Sequence, residues 1–345
     1  MDKVKDLNRS VNWKLWLGLL ISALFLYLAF RKVDLARIWA VIRASDLSLL
    51  ALVVIITLFQ FVIRAWRWRI LLEPIKRTGF SNRLLSIFIG FAGNCVLPAR
   101  LGEFIRANYL GQKEDISRSS AFGTIVVERL FDGLTLLLLL LIGLMCTSFP
   151  EKMGAVAGSL RATGLFLFLA YLLMIAFLAG FKYRPDIFFN LLGRLLFFLS
   201  SHHRSKIIDI VRNFGLGLVP IKNAYGWVQV IFYSLLLWSS SLYQIQLIVN
   251  SIGLSLPFIA TFLILAMASF GVMIPSAPGF IGTFHLAAQY GFLLYGVARV
   301  EALSAAILWH AAFFFPTILF GCISFILLQV SNGRIPERSN ILPKD

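Results

Sequence analysis

Charged residues are scarce in this 345-residue chain, at 14% of positions against 59% hydrophobic. A soluble domain carries about 25% charged and 45–50% apolar residues, so an ordinary soluble enzyme or a disordered protein is a poor fit. Acidic residues are the rarer sign, 16 against 32 Lys and Arg. The resulting net charge of +16 would suggest nucleic acid in a soluble protein. Here the basic residues flank apolar blocks, which makes them topogenic and excludes a nucleic-acid role. Cysteine is also rare. Cys95, Cys146 and Cys322 lie apart in apolar stretches, with no CxxC spacing and no histidine cluster, so neither a disulfide framework nor a zinc site is expected. No metal and no cofactor is expected.

What the chain does have is uninterrupted apolar blocks of roughly the 20 residues that a bilayer requires. Spans are expected at 12–30, 47–70, 119–148, 162–181, 226–250 and 301–329. The first ends in Arg31-Lys32 without a small-residue cleavage site and reads as an uncleaved signal anchor. Two further apolar stretches, 84–110 and 257–298, are broken in mid-run by Pro98 and Gly102 and by Pro275, Pro278, Gly279 and Gly282. Irregular backbone cannot face lipid, because unsatisfied amides there cost several kcal/mol. Both stretches are therefore expected to be re-entrant helical hairpins enclosed by protein.

The breaks repeat. Pro98 and Gly102 recur as Pro278 and Gly282 at an offset of 180 residues, with matching flanks. The expected fold is an all-α polytopic membrane protein with an inverted repeat, six full transmembrane helices and two re-entrant hairpins, or eight crossings if the hairpins span. The first repeat covers 1–150 and the second 151–345, with 186–222 as an interfacial connector. With both termini cytoplasmic, 24 of the 32 Lys and Arg fall on the inside and seven outside, as the positive-inside rule requires. The 31–46 loop, with four basic residues on the outer side, fits least well.

Ionisable residues at membrane depth are functional candidates by default. The strongest group is Glu128-Arg129-Leu130-Phe131-Asp132. Glu128 and Asp132 share a helix face, and Arg129 can pair Asp132 at i,i+3. The group is either a self-neutralising structural lock or a site for a lipid headgroup or coupling ion. At the first hairpin, Arg100 and Arg106 stand beside the free amides of a helix start, and guanidinium forks bind phosphate bidentately. The alternative is that Arg100 and Arg106 are snorkelling topology charges, with Glu103 as a local partner of Arg106. His285 and His310 are the histidines of the apolar regions; an interhelical hydrogen bond suits each slightly better than a proton relay. Arg64-Ala-Trp66-Arg67-Trp68-Arg69 reads as an interfacial anchor at a helix end.

Leu97-Pro98-Ala99-Arg100-Leu101-Gly102-Glu103 with Arg106, the Glu128–Asp132 motif, and Pro278-Gly279 with Gly282 together resemble the flippase-like transmembrane region of the lysylphosphatidylglycerol synthase (multiple peptide resistance factor) family. The resemblance covers nearly the whole chain and extends to archaeal glycosylation-associated members. It implies transport of an anionic phospholipid or a polyprenyl-phosphate-linked sugar across the cytoplasmic membrane, and no aminoacyl-transferase activity in this chain. It departs at His285, where family members commonly carry Glu, so no carboxylate role carries over to that position. The competing readings are a membrane-embedded transferase using Glu128 or His310 as acid and base, and a non-catalytic partner of a glycosyltransferase or a lipid-modifying enzyme.

Overall fold

The computed structural model describes residues 18–31, 33–97, 100–147, 154–183 and 224–332. Both chain ends, Pro98 and the expected connector 186–222 lie outside the described residues. The described chain is an all-α polytopic membrane protein. Its helices are α1 (Gly18–Phe30), α2 (Leu35–Arg43), α3 (Leu47–Leu72), α4 (Phe80–Val96), α5 (Gly102–Glu114), α6 (Arg118–Cys146), α7 (Gly154–Tyr183), α8 (Ala224–Ser251), α9 (Ala260–Met273), α10 (Thr283–Leu293) and α11 (Arg299–Asn332). A short 3-10 turn, Pro278–Phe280, separates α9 from α10.

Among the described residues, four helices are long and apolar enough to cross a membrane: α3, α8, α11 and the Gly158–Ala176 part of α7. Helix α6, with 29 residues, has the length but carries charges in its middle. Local chemistry sets the ends. Asp46 caps α3 by accepting from the Ser48 and Leu49 amides at 2.8 and 3.3 Å. Asp115 ends α5 in the left-handed region.

The two broken stretches fold as helix–break–helix units. Their arms have 17 and 13 residues (α4, α5) and 14 and 11 residues (α9, α10). At 1.5 Å per residue, each arm is about 16–26 Å long, shorter than the roughly 30 Å hydrocarbon core. Glycine lets the arms close. A Cβ on Gly102 would stand 1.8 Å from the Gly90 carbonyl oxygen, and one on Gly271 would stand 2.5 Å from the Ala287 Cβ.

Helices α3 and α8 lie face to face, and side-chain amides tie them together. The Gln60 amide donates to the hydroxyls of Ser240 and Ser241 and to the Gln244 carbonyl oxygen, each at 3.0 Å. Gln244 in turn donates to the Thr57 hydroxyl at 2.8 Å and the Val53 carbonyl at 3.0 Å. Around this seam, α4 packs on α11 and α9 packs on α6, while α5 lies against α6 and α10 against α11.

The 31–46 segment differs from expectation. It is not a plain loop but holds α2, capped by the Asp34 carboxylate accepting from the Ala36 amide at 2.9 Å. Leu35, Ile38, Trp39 and Ile42 recur at helical spacing. Ile38 is buried, and α2 packs on α11. Short apolar spacing between two spans was easy to read as a connection.

Helix closure in the first hairpin should show in stability. Gly102→Ala forces backbone apart and is expected to lower stability by about 1–3 kcal/mol or more. Gly158→Ala, whose Cβ meets nothing within 4 Å, should be neutral or stabilising by roughly 0.5–1 kcal/mol. Thermal unfolding of the purified variants in one detergent checks both.

Candidate functional site

Three helices bring seven ionisable groups into one buried network. Helix α3 supplies Arg64 and Arg67, α5 supplies Glu103 and Arg106, and α6 supplies Glu128, Arg129 and Asp132. Glu128 is at its centre, with its side chain fully shielded. The Arg106 fork donates to both Glu128 oxygens at 3.2 and 2.9 Å. The Arg67 fork does the same to Asp132 at 2.7 and 3.2 Å, and also donates to the Ser234 hydroxyl at 3.1 Å. Arg129 bridges the two carboxylates, at 2.5 Å from Glu128 and 3.2 Å from Asp132.

Aromatic rings complete the enclosure. Trp68 stacks beneath Arg106 at 3.7 Å from its ring centroid and donates its indole N–H to the Thr124 hydroxyl at 2.8 Å. The planar guanidinium suits both the bidentate pair and the stack, whereas a lysine would supply neither. Two carboxylates one helical turn apart would repel each other if alone. The cations that pack between them make the arrangement tenable at this depth.

The network has a sealed side and an accessible side. The side chain of Arg106 is 2% exposed, whereas those of Arg129 and Glu103 are 30% and 20% exposed. Arg64 is half-buried, with its guanidinium 4.9 Å from the centroid of Phe91; Arg129 lies 6.0 Å from the same ring. Phe91 also joins an aromatic band, through Phe61 at 5.4 Å and Phe313 at 6.4 Å, that continues through Phe88 to Phe320. Phe320 borders an apolar cavity of about 720 Å³ between α3 and α11.

The breaks of the hairpins meet beside this network. Arg100 holds a positive φ and donates to the Val272 carbonyl at 3.4 Å, at the end of α9. A cation at that helix end is favoured by the exposed carbonyl dipoles. The Arg100 guanidinium also lies 5.9 Å from the Phe280 ring of the second break. Gly279 and Gly282 take positive φ values that side-chained residues rarely adopt. Pro275 is exposed and Pro278 half-buried. Helix α1 covers the second break, where Ser22 accepts from the Ala277 amide at 2.8 Å. His310 hydrogen-bonds to the Gly279 carbonyl at 2.9 Å, and His285 Nδ1 accepts from the Gly282 amide at 3.4 Å. The two imidazole rings are 4.8 Å apart.

Several expectations change. Arg100 and Arg106 do not flank one point: Arg106 turns into α6 and is consumed by Glu128, while Arg100 reaches the second hairpin. Glu103 pairs with Arg129 at 3.8 Å and not with Arg106. The Arg64–Arg69 segment is no simple interfacial anchor. Trp66 and Arg69 do face outward, but Arg67 and Trp68 on the opposite face are sealed inside. Sequence reasoning missed Arg67 because its partner, Asp132, lies 65 residues away. The available signal was that three arginines, Arg64, Arg67 and Arg69, share a helix with an apolar span.

Similarity to known proteins agrees with this architecture. The family model described as the lysylphosphatidylglycerol synthase TM region matches residues 15–321. The chain belongs to this family. Among curated relatives, glycosyltransferase AglD of Haloferax volcanii is 25% identical over 93% of this chain and 55% of its own length. The chain thus spans about half the length of that relative. UPF0104 membrane proteins from Methanocaldococcus jannaschii and Pyrococcus horikoshii are 23% and 22% identical. Those matches cover 90% and 89% of this chain, and 94% and 96% of the relatives.

The network should be felt in folding. Glu128→Gln leaves Arg106 buried without its counter-charge, and breaking such a pair costs about 3–5 kcal/mol. Chemical or thermal unfolding in detergent should show a loss of that order. A loss below about 1 kcal/mol, the range of exposed pairs, would contradict the buried geometry.

Proposed function

We propose that this chain moves an anionic lipid or a lipid-linked glycan across the cytoplasmic membrane, with both termini cytoplasmic and two inverted units of three spans and one hairpin. The observation that carries the reading is the meeting of the two breaks beside a buried, partly accessible arginine network. Broken helices that meet inside a bundle are the usual setting of substrate sites in secondary transporters. The exchange of partners, α4 on α11 and α9 on α6, supports the duplicated unit, because corresponding arms pack on corresponding spans. In this mechanism the partly exposed Arg129 offers charge to the lipid head, Glu128 and Asp132 hold the arginines in place, and the apolar cavity accommodates hydrocarbon. The Arg100 contact with Val272 is the latch between hairpins, and its making and breaking alternates access. His310, held on the second break, moves with that hairpin.

A second reading is that the region works beside a glycosyltransferase; the name of the Haloferax relative supports it. Reconstitution in liposomes separates the two. Headgroup-labelled phosphatidylglycerol, or a labelled polyprenyl-phosphate sugar, should cross the bilayer faster with protein than without, and should emerge chemically unchanged. A new covalent product would point to transfer, and neither result would point to a partner role.

The latch makes its own prediction. Arg100→Ala removes a charged hydrogen bond worth about 1.5–3 kcal/mol, so transport per folded molecule should fall roughly 10- to 100-fold. Arg100→Lys retains the charge and should fall between Ala and wild type. Equal rates in all three proteins would exclude a role for Arg100 in the cycle.

A further inference from the structure

We infer that Arg64 is the anion receptor of the network, and that its ligand is the phosphate of a lipid phosphodiester. The inference rests on the reading above that the chain handles an anionic amphiphile, and it names the atoms that meet the charge.

Three arginines of the network are matched by carboxylates. Arg64 makes no hydrogen bond or ion pair to any described residue, and its Nη1 is buried without a partner. Arg67, Arg106 and Arg129 also leave a buried Nε unpartnered, but their terminal nitrogens bond carboxylates, whereas both of Arg64's are without one; an empty buried fork calls for a physical reason. The charges around it point the same way. Arg64, Arg67, Arg106 and Arg129 face three carboxylates, Glu103, Glu128 and Asp132, so one positive charge is left over. Arg100 lies near Glu103 and Arg129 but bonds the neutral Val272 carbonyl of the second hairpin, so it adds to the positive excess. A phosphodiester carries one negative charge and offsets part of that excess.

Access selects the same residue. Arg67 and Arg106 are sealed, while Arg64 and the partly exposed Arg129 share the Phe91 ring at 4.9 and 6.0 Å. Arg64 is half-buried with its Nη1 closed off, so a phosphate beside Arg129 meets the unoccupied fork once the Arg64 side chain turns outward. The ring holds both planes without competing for their donors.

The surroundings favour a lipid over free phosphate. Leu50 and Val54 of the same helix line the apolar cavity. Val54 precedes Arg64 by ten residues, or about 15 Å along α3. Phe61, one turn before Arg64, is buried in the core, so the surface offered to hydrocarbon is the cavity wall at Leu50 and Val54. Head and hydrocarbon thus find suitable surfaces along one helix.

The test measures binding in full-length purified protein, by thermal protection in a neutral detergent. The probes are dioleoylphosphatidylglycerol, a neutral diglucosyl diacylglycerol, and dimethyl phosphate as a soluble phosphodiester. Wild type should be protected by phosphatidylglycerol and not by the neutral glycolipid. Arg64→Gln should fold as well as wild type without lipid, because it removes an unpaired buried cation, and should bind phosphatidylglycerol about 10- to 100-fold more weakly. Arg64→Lys should lie between them. Undiminished binding in Arg64→Gln would overturn the assignment, and so would a marked loss of stability before any lipid is added, since that would make Arg64 structural. Should Arg64→Gln fail to fold, wild-type affinity in Arg64→Lys would likewise overturn it. Protection by dimethyl phosphate without protection by phosphatidylglycerol would move the site to a soluble anion and refute the lipid. The transport reading fails separately. Lipid binding that depends on Arg64, without transbilayer movement, retains the receptor and ends the flippase, whereas unimpaired movement in Arg64→Gln does the reverse.

Discussion

Glu128 has no contact with solvent, and three arginines from three helices surround it. The arrangement around it follows from that fact. A carboxylate in such a place is tolerable only when its attraction to fixed cations exceeds the cost of desolvating both partners. Arg106 on the first hairpin, Arg67 on α3 and Arg129 on α6 provide that attraction, so the pairing also fixes how the hairpin sits against its two neighbouring spans. Trp68 and Thr124 then fill the space that the guanidiniums leave. The network is both a lock on the bundle and the wall of a site. The sealed half gives rigidity, and the half facing Phe91 keeps charge within reach of a ligand.

The two alternatives raised by the sequence for the Glu128–Asp132 motif are therefore divided between different residues. Glu128 and Asp132 form the structural part, because their oxygens are already occupied. The accessible cations form the part that can bind. A similar division holds at the breaks. Backbone geometry at Gly279 and Gly282 is met by α1 and by the two histidines, while Arg100 joins one break to the other. The histidines are bonded to backbone of the second hairpin, so their first role is to hold that break in shape.

Much of the fold was legible because long apolar runs and proline–glycine breaks have few physical solutions in a bilayer. The helices flanking both breaks fall in the stretches that the sequence marks as broken, and four of the expected spans coincide with helices long and apolar enough to cross a membrane. Helix α2 was not legible as a helix, since a nine-residue amphipathic segment between spans resembles an ordinary connection. The site was legible by composition and not by pairing. Glu128, Arg129 and Asp132 were evident as charges at depth, but Arg67 and Arg64 resembled the Arg and Trp residues that flank many spans. Pairing depends on which face of α3 turns inward, and a helix that is apolar nearly all round gives little periodic signal of its inner face. The same ambiguity misdirected Arg106, whose helix turns it away from the break and into α6.

The central claim is that the uncompensated charge beside Phe91 is completed by a lipid phosphate. The most direct measurement is an experimental density map of the protein in nanodiscs containing phosphatidylglycerol. The account predicts a phosphate within hydrogen-bonding distance of Arg64 and beside Arg129, with its hydrocarbon directed along α3. Arg64 paired with a protein carboxylate, or turned into a region without headgroup density, would contradict it.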